Sequence, residues 1–305
     1  MLRSCFCAYG VVADLGNLVR GRSHMDVNQA IRFAQLVNAA YAIDPNSVAN
    51  SAGQVINAGG AQYNVITTIY ANDLATDMNP LRGTQTVSIG LMLQAVASSD
   101  LVIAIRGTEG IMEWVQDGKF GMVPCPFLTG AGNTEDGFTA MYSSMRTGTE
   151  TDSPTIVGAL STLPLPTPVS RNTRITICGH SLGGSLVTLL ALDVAANTTF
   201  TNPTVYSYAS PRTGDTAFTN MYNHMVPSTF RIANRMDIVP KLPMPPLYDH
   251  VLVPNELNPV QWLPLPPKSM VKPELACQHI LNTYLHLLSV SSGGAVLPLD
   301  AQCVI

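Results

Sequence analysis

Charge is what this chain has least of: Asp, Glu, Lys and Arg make up 12% of its 305 residues, about half the ~25% of an ordinary soluble domain. Apolar residues stand at an ordinary 46%, so the surface has to be built largely from Ser, Thr, Asn and Gln. The 16 basic and 20 acidic residues form no basic cluster, which argues against a nucleic-acid partner. Long apolar runs are missing too. The apolar stretch Leu101 to Ile105 ends at Arg106, far short of the ~18 residues of a membrane span, so no transmembrane segment is expected and the protein should be soluble. Cysteines at the close paired spacing of zinc ligands are also absent. Cys125, Cys178, Cys277 and Cys303 lie far apart, and Cys5 and Cys7 fall near the N-terminus; no structural metal is expected. Cys178 reads as a small core residue in an apolar strand, and a disulfide among the others stays open.

Residues 1–25 are set apart as a tail. Cys5 to Ala13 is mildly apolar but runs into Asp14 without a clear small-residue cleavage site. Leu18 to Met25 resembles the linker left by a cleavable expression tag, so the tail is expected to be tag-derived or disordered. Residues 26–305 read as one domain. Asp26 to Ile43 carries apolar residues at helical spacing. Tyr63 to Tyr70 and Thr86 to Val96 are β-rich, and Leu101 to Arg106 is apolar enough to be buried on both faces. Strands at Arg174 to Cys178, Val205 to Ala209 and Thr229 to Ala233 alternate with helical segments Leu182 to Ala196 and Gly214 to Met225. That alternation predicts an α/β fold with a mainly parallel sheet flanked by helices. The Pro-rich pieces are short connections within it, and no internal repeat is present.

Gly179-His180-Ser181-Leu182-Gly183 matches Gly-x-Ser-x-Gly, a pattern that chance supplies in about one chain in ten of this length. Its context is more specific. The pentapeptide follows a strand directly and precedes an amphipathic helix, as a nucleophile elbow requires. A sharp strand-to-helix turn leaves no room for side chains beside the serine. The helix N-terminus then offers unpaired N–H groups, that of Leu182 among them, to an oxyanion. A hydroxyl needs a base, and the base an acid, in the order Ser, Asp, His. Asp237 suits the acid, because it follows a strand at the carboxyl edge of the sheet, where such sites form; Asp193 and Asp215 read as solvated. His250, His279 and His286 remain for the base.

With the ordered pieces Leu101 to Thr108, Trp114 and Asp117, Gly137-Phe138, the elbow, Ser210 to Gly214, and Asn234 to Pro243, the chain resembles the fungal-type class 3 lipases of the α/β-hydrolase superfamily, from about Asp26 onward. The resemblance implies that His279 is the base, since the family's base lies near the chain end in a similar segment. It also implies that Thr108, after Arg106-Gly107, is the second oxyanion donor. One departure is visible: relatives commonly carry a histidine two residues before Gly-Phe, where this chain has Glu135. The family is secreted as a rule, which inclines the localisation that way. No cofactor is implied.

A lid is expected at Glu109 to Asp117, where Ile111, Trp114 and Val115 share one helical face and Gly110 and Gly118 bound the segment. Similar lipases carry their lid at this place. The expected function is therefore a serine carboxylic-ester hydrolase, a triacylglycerol lipase working on an apolar ester at a lipid–water interface. The alternatives are a lidless carboxylesterase of feruloyl or phospholipase type, and a non-catalytic binding protein on the same fold.

Overall fold

The strand Leu101–Ile105 is apolar at every position rather than every second one, and the sheet it joins shows why. The computed structural model describes residues 24–43, 52–73, 85–108, 120–162, 165–170, 172–258 and 276–303. Within them one eight-stranded sheet is formed by β1 (Val55–Ala58), β2 (Ala61–Asn72), β3 (Thr86–Ala95), β4 (Leu101–Ile105), β7 (Ile175–His180), β8 (Thr204–Tyr208), β9 (Thr229–Asn234) and β10 (Asn255–Leu257). They lie in the order β1-β2-β3-β4-β7-β8-β9-β10. The first three pairings are antiparallel and the four from β4 to β10 parallel. The short ribbon β5 (Met122–Pro124) with β6 (Asn133–Glu135) stands outside the main sheet.

Helices cover both faces. α1 (Val27–Tyr41) and α6 (Leu281–Ser292) take one side; α2 (Asp136–Ser144), α3 (Ile156–Thr162), α4 (Leu182–Asn197) and α5 (Thr216–Met225) take the other. β4 shows the consequence: Leu101, Ile103 and Ile105 pack with α4, while Val102 and Ala104 pack with α1 and α6. All five are buried, and a full burial of each large side chain contributes ~1.5–3 kcal/mol. The carboxyl ends of β4, β7 and β8 meet at the start of α4.

α4 corrects the sequence reading. An amphipathic helix is expected there, but thirteen of its sixteen residues are buried, because the sheet, α2, α3 and α5 enclose it. Asp193 and Asp215, read as solvated, are partly exposed and hydrogen-bonded. Asp193 accepts the Tyr142 hydroxyl and the Asn197 amide, and Asp215 caps α5 through the Phe218 N–H while also taking Asn133. Glu135, two residues before Gly137, caps α2 by accepting the Phe138 N–H at 2.6 Å. A cap of this kind is worth ~1 kcal/mol. Among the described residues no helix is long and apolar enough to cross a membrane.

Candidate active site

β7 runs straight into Ser181, which then opens α4. Ser181 has φ 59° and ψ −128°, a conformation that costs a non-glycine residue ~1–3 kcal/mol and persists only where its surroundings fix it. They do. Its N–H donates to the Tyr208 carbonyl at 2.9 Å, and its carbonyl takes the Gly184 N–H at 2.8 Å. The motif glycines are required by close approach: a β-carbon on Gly183 would lie 2.5 Å from the carbonyl oxygens of both Ile105 and Arg106. The carboxyl end of β4 is thereby pressed against the elbow.

His279 Nε2 lies 2.8 Å from Ser181 Oγ, and its Nδ1 lies 2.8 Å from Asp237 Oδ2. Ser181 comes from the elbow, Asp237 from the loop after β9, and His279 from a helical turn at 276–279 just before α6. The carboxylate holds a proton on Nδ1, which leaves Nε2 as the acceptor for the serine hydroxyl. Asp237 is fully buried and is fixed from other directions too. Its Oδ1 takes the Val239 N–H at 3.0 Å, and its Oδ2 also takes the Tyr284 hydroxyl at 2.8 Å. Tyr284 in turn accepts the Asn234 N–H at 3.0 Å. Burial beside the Asp237 carboxylate raises the Tyr284 phenol well above its ordinary pKa, so it remains a donor.

A second chain of bonds runs behind the serine. His180 Nε2–H donates to the His279 carbonyl at 2.8 Å, and its Nδ1 accepts from Tyr41 Oη at 2.8 Å. Tyr41 accepts the Gly107 N–H at 2.8 Å. Burial, with His279 close by, holds His180 well below the usual histidine pKa; it stays neutral, as one donor and one acceptor require. Arg106 completes the brace. Its Nε donates to the Ser88 carbonyl and its Nη1 to the Gly107 carbonyl, both at 2.9 Å. Because a trans peptide sets its C=O and N–H in opposite directions, this grip on Gly107 also fixes the direction of the Thr108 N–H.

The expected residues Ser181, Asp237 and His279 are thus brought within hydrogen-bond reach. Leu182 is the first residue of α4, where an N–H has no intrahelical acceptor. Thr108 follows Gly107, at which a β-carbon would lie 2.8 Å from Ser181 Cβ. The other histidines are elsewhere. His250 Nε2 bonds the Pro240 carbonyl, and burial with Arg231 nearby pushes His250 down to about 3. His286 Nδ1 bonds the Leu297 carbonyl. The expected lid residues Ile111, Trp114 and Val115 lie outside the described residues. Tyr41, Arg106, His180 and Tyr284 as supports were missed by sequence reasoning; only the position of His180 inside the motif could have signalled one of them. A disulfide joins Cys277 to Cys303, and Cys277 stands two residues before the histidine. Among the described residues no cluster of three or more His, Cys, Asp or Glu could hold a metal.

Comparison with known proteins bears on the family and the fold. Residues 102–246 match the model of the lipase (class 3) family. Phospholipase A1-IIgamma of Arabidopsis thaliana is 30% identical over 217 residues, 64% of this chain and 49% of that protein; the chain spans about half the length of the phospholipases A1 it matches. Secreted mono- and diacylglycerol lipase A of Penicillium cyclopium is 26% identical over 278 residues, 89% of this chain and 83% of that one. Among solved structures, native Rhizomucor miehei lipase with its propeptide superposes with a TM-score of 0.56 at 21% identity, covering 76% of this chain and 68% of that one. A mutant form of the Penicillium cyclopium enzyme gives 0.51 at 21% identity and 80% of both chains. The fold is that of the α/β-hydrolases, and over residues 102–246 the chain matches the class 3 lipase family.

Proposed function

We propose that this protein hydrolyses carboxylic esters of lipids through a covalent acyl-serine. The observation that carries the reading is the pair of 2.8 Å bonds linking Ser181 Oγ through His279 to the buried Asp237. As Ser181 Oγ attacks the ester carbonyl carbon, His279 Nε2 takes the hydroxyl proton and Asp237 stabilises the imidazolium. The oxyanion is received by the Leu182 and Thr108 N–H groups, the latter aimed by Arg106. Collapse of the tetrahedral intermediate expels the alcohol, which leaves with the proton from His279. Water then attacks the acyl-enzyme by the same route, releasing the acid and free Ser181.

Triacylglycerol is the proposed substrate, by the resemblance to the class 3 lipases and in a chain with few charges. The names of the relatives, phospholipases A1 and mono- and diacylglycerol lipases, favour a second reading in which a phospholipid or a partial glyceride is preferred. A lidless carboxylesterase is the further alternative. Secretion is part of the proposal: two relatives are named as secreted, and the Cys277–Cys303 bond suits an oxidising compartment.

The test is covalent labelling with a fluorophosphonate, together with hydrolysis of tri-, di- and monoacylglycerols and phosphatidylcholine. The wild-type protein should label and Ser181→Ala should not. Turnover in Ser181→Ala should fall by at least about four orders of magnitude; a variant retaining a tenth of the activity ends the assignment.

A further inference from the structure

The loop that carries Asp237 continues into an apolar projection that the reaction does not use. Met244, Pro245, Pro246 and Leu247 are four consecutive exposed residues, with Met244 64% and Leu247 69% exposed, and Met236 beside Asp237 is 41% exposed. The feet of the projection are fastened. On one side the Arg212 N–H donates to the Leu242 carbonyl at 2.7 Å, and Arg212 Nη1 donates to the carbonyls of Lys241 and Pro243. On the other, the buried Tyr248 donates its hydroxyl to the Gly121 carbonyl at 2.6 Å. The tip is therefore held outward between two anchored ends. Contiguous exposed apolar surface held in this way marks a contact site.

Its position ties it to the site, since Met244 follows Asp237 by seven residues in one loop. Arg212 belongs to the turn after β8, and that turn rests on the first turn of α4: a β-carbon on Gly184 would lie 3.0 Å from Ser210 Cα. Of the charged side chains of residues 235–250 that are exposed, Arg235 and Lys241 are cations and Asp249 is an anion. An apolar tip with a net basic flank is complementary to acyl chains beneath phosphate headgroups. We propose that Met244 to Leu247, with Met236, inserts into the surface of a lipid aggregate and seats the site mouth on it. The lipid class rests on the function proposed above; the docking face rests on the exposed tip and its anchors.

The test separates docking from chemistry. Binding is measured by sedimentation with phosphatidylcholine vesicles in the Ser181→Ala background, at low salt and at about 1 M NaCl. Met244→Ser with Leu247→Ser should weaken partitioning on the order of a hundredfold, about tenfold for each side chain withdrawn. The parent should keep most of its binding in high salt, because apolar insertion is not screened. Met244→Leu with Leu247→Met, which keeps the apolar surface, should bind like the parent. With Ser181 present, the serine double variant should hydrolyse a water-soluble short-chain ester at the wild-type kcat/KM. Unchanged vesicle binding by the serine variant overturns the proposal, as does a parent that does not bind vesicles, or a parent dimer that the serine variant turns into monomers. A parent that binds vesicles while the Ser181 protein cleaves no ester keeps the docking face and removes the proposed function.

Discussion

Replacing Tyr284 by Phe deletes one oxygen atom from a residue that touches no substrate, and the two bonds lost with that atom set the cost. The hydroxyl donates to Asp237 Oδ2 and accepts from the Asn234 N–H, both at positions with almost no solvent exposure. A bond to a charged acceptor is worth ~1.5–3 kcal/mol and a buried donor left without its acceptor costs ~1–3 kcal/mol. These terms overlap, so the folded state should lose roughly 2–4 kcal/mol, readable by chemical denaturation. The rate should respond separately. Asp237 keeps the His279 and Val239 donors but is less firmly held, and a loss of ~1.4–2.7 kcal/mol in the transition state lowers kcat about ten- to a hundredfold. A carboxylate with one donor fewer also holds the imidazolium more tightly, so the acid limb of kcat/KM should move to higher pH. Tyr284→Phe with wild-type kcat and an unmoved acid limb refutes this reasoning, even if stability drops, and leaves Tyr284 as a packing residue.

Among the histidines, His279→Ala should be nearly as damaging as Ser181→Ala, while His286→Ala and His250→Ala keep most of their turnover; an inactive His250→Ala with an active His279→Ala would move the base. Replacing Cys277 and Cys303 together by Ser opens a 26-residue separation, and the loop-entropy relation gives a stability loss of about 3–4 kcal/mol, seen as a fall in Tm of roughly 5–10 °C. Gly183→Ala should abolish soluble expression or activity, since its β-carbon meets two backbone carbonyls; a folded, active variant would show that β4 can retreat from the elbow. Acid should weaken the fold through His180 and His250, whose folded pKa values are depressed, to about 3 for His250. Below ~6.5 the unfolded chain takes up protons that the native one refuses, so stability falls as pH drops, by ~1.4 kcal/mol per pH unit for each histidine. Denaturant titrations at pH 7 and 5 check this, and His250→Gln should flatten the slope.

What the sequence made legible was local. The elbow could be read because strand, turn and helix are consecutive, and because steric crowding at Gly179 and Gly183 leaves a fixed spacing. β4 could be read because burial on both faces removes polar residues from the strand altogether. Other features depend on partners far away in the chain. Parallel pairing was legible through the alternation of strands and helices, but β1 and β10, four and three residues long, carry too little pattern to be found. The amphipathic reading of α4 failed since nothing local says that a second layer of helices will cover its outer side. Choosing His279 over His250 needed the family resemblance, for both follow Asp237 in the chain. Tyr41 and Tyr284 support the site through single hydroxyls, and a lone tyrosine in a helix has no periodic signature.

The two networks explain each other when traced to their shared atoms. His279 is held twice, by Asp237 at its ring and by His180 at its own carbonyl, so the backbone that carries the imidazole cannot shift without breaking the brace behind the serine. His180 sits in β7 immediately before the strained Ser181, and Tyr41 joins it to Gly107, whose carbonyl Arg106 grips. The proposed base, the proposed nucleophile and the peptide before Thr108 are therefore tied into one set of bonds that does not pass through Asp237. A local strain of ~1–3 kcal/mol at Ser181 is sustainable under those conditions, because relaxing the serine would cost several bonds at once. The same logic assigns the roles within the pentapeptide. The glycines let β4 and α4 close on the turn, the serine supplies the oxygen, Leu182 the first N–H of the helix, and His180 the link that keeps all of them in register with the base.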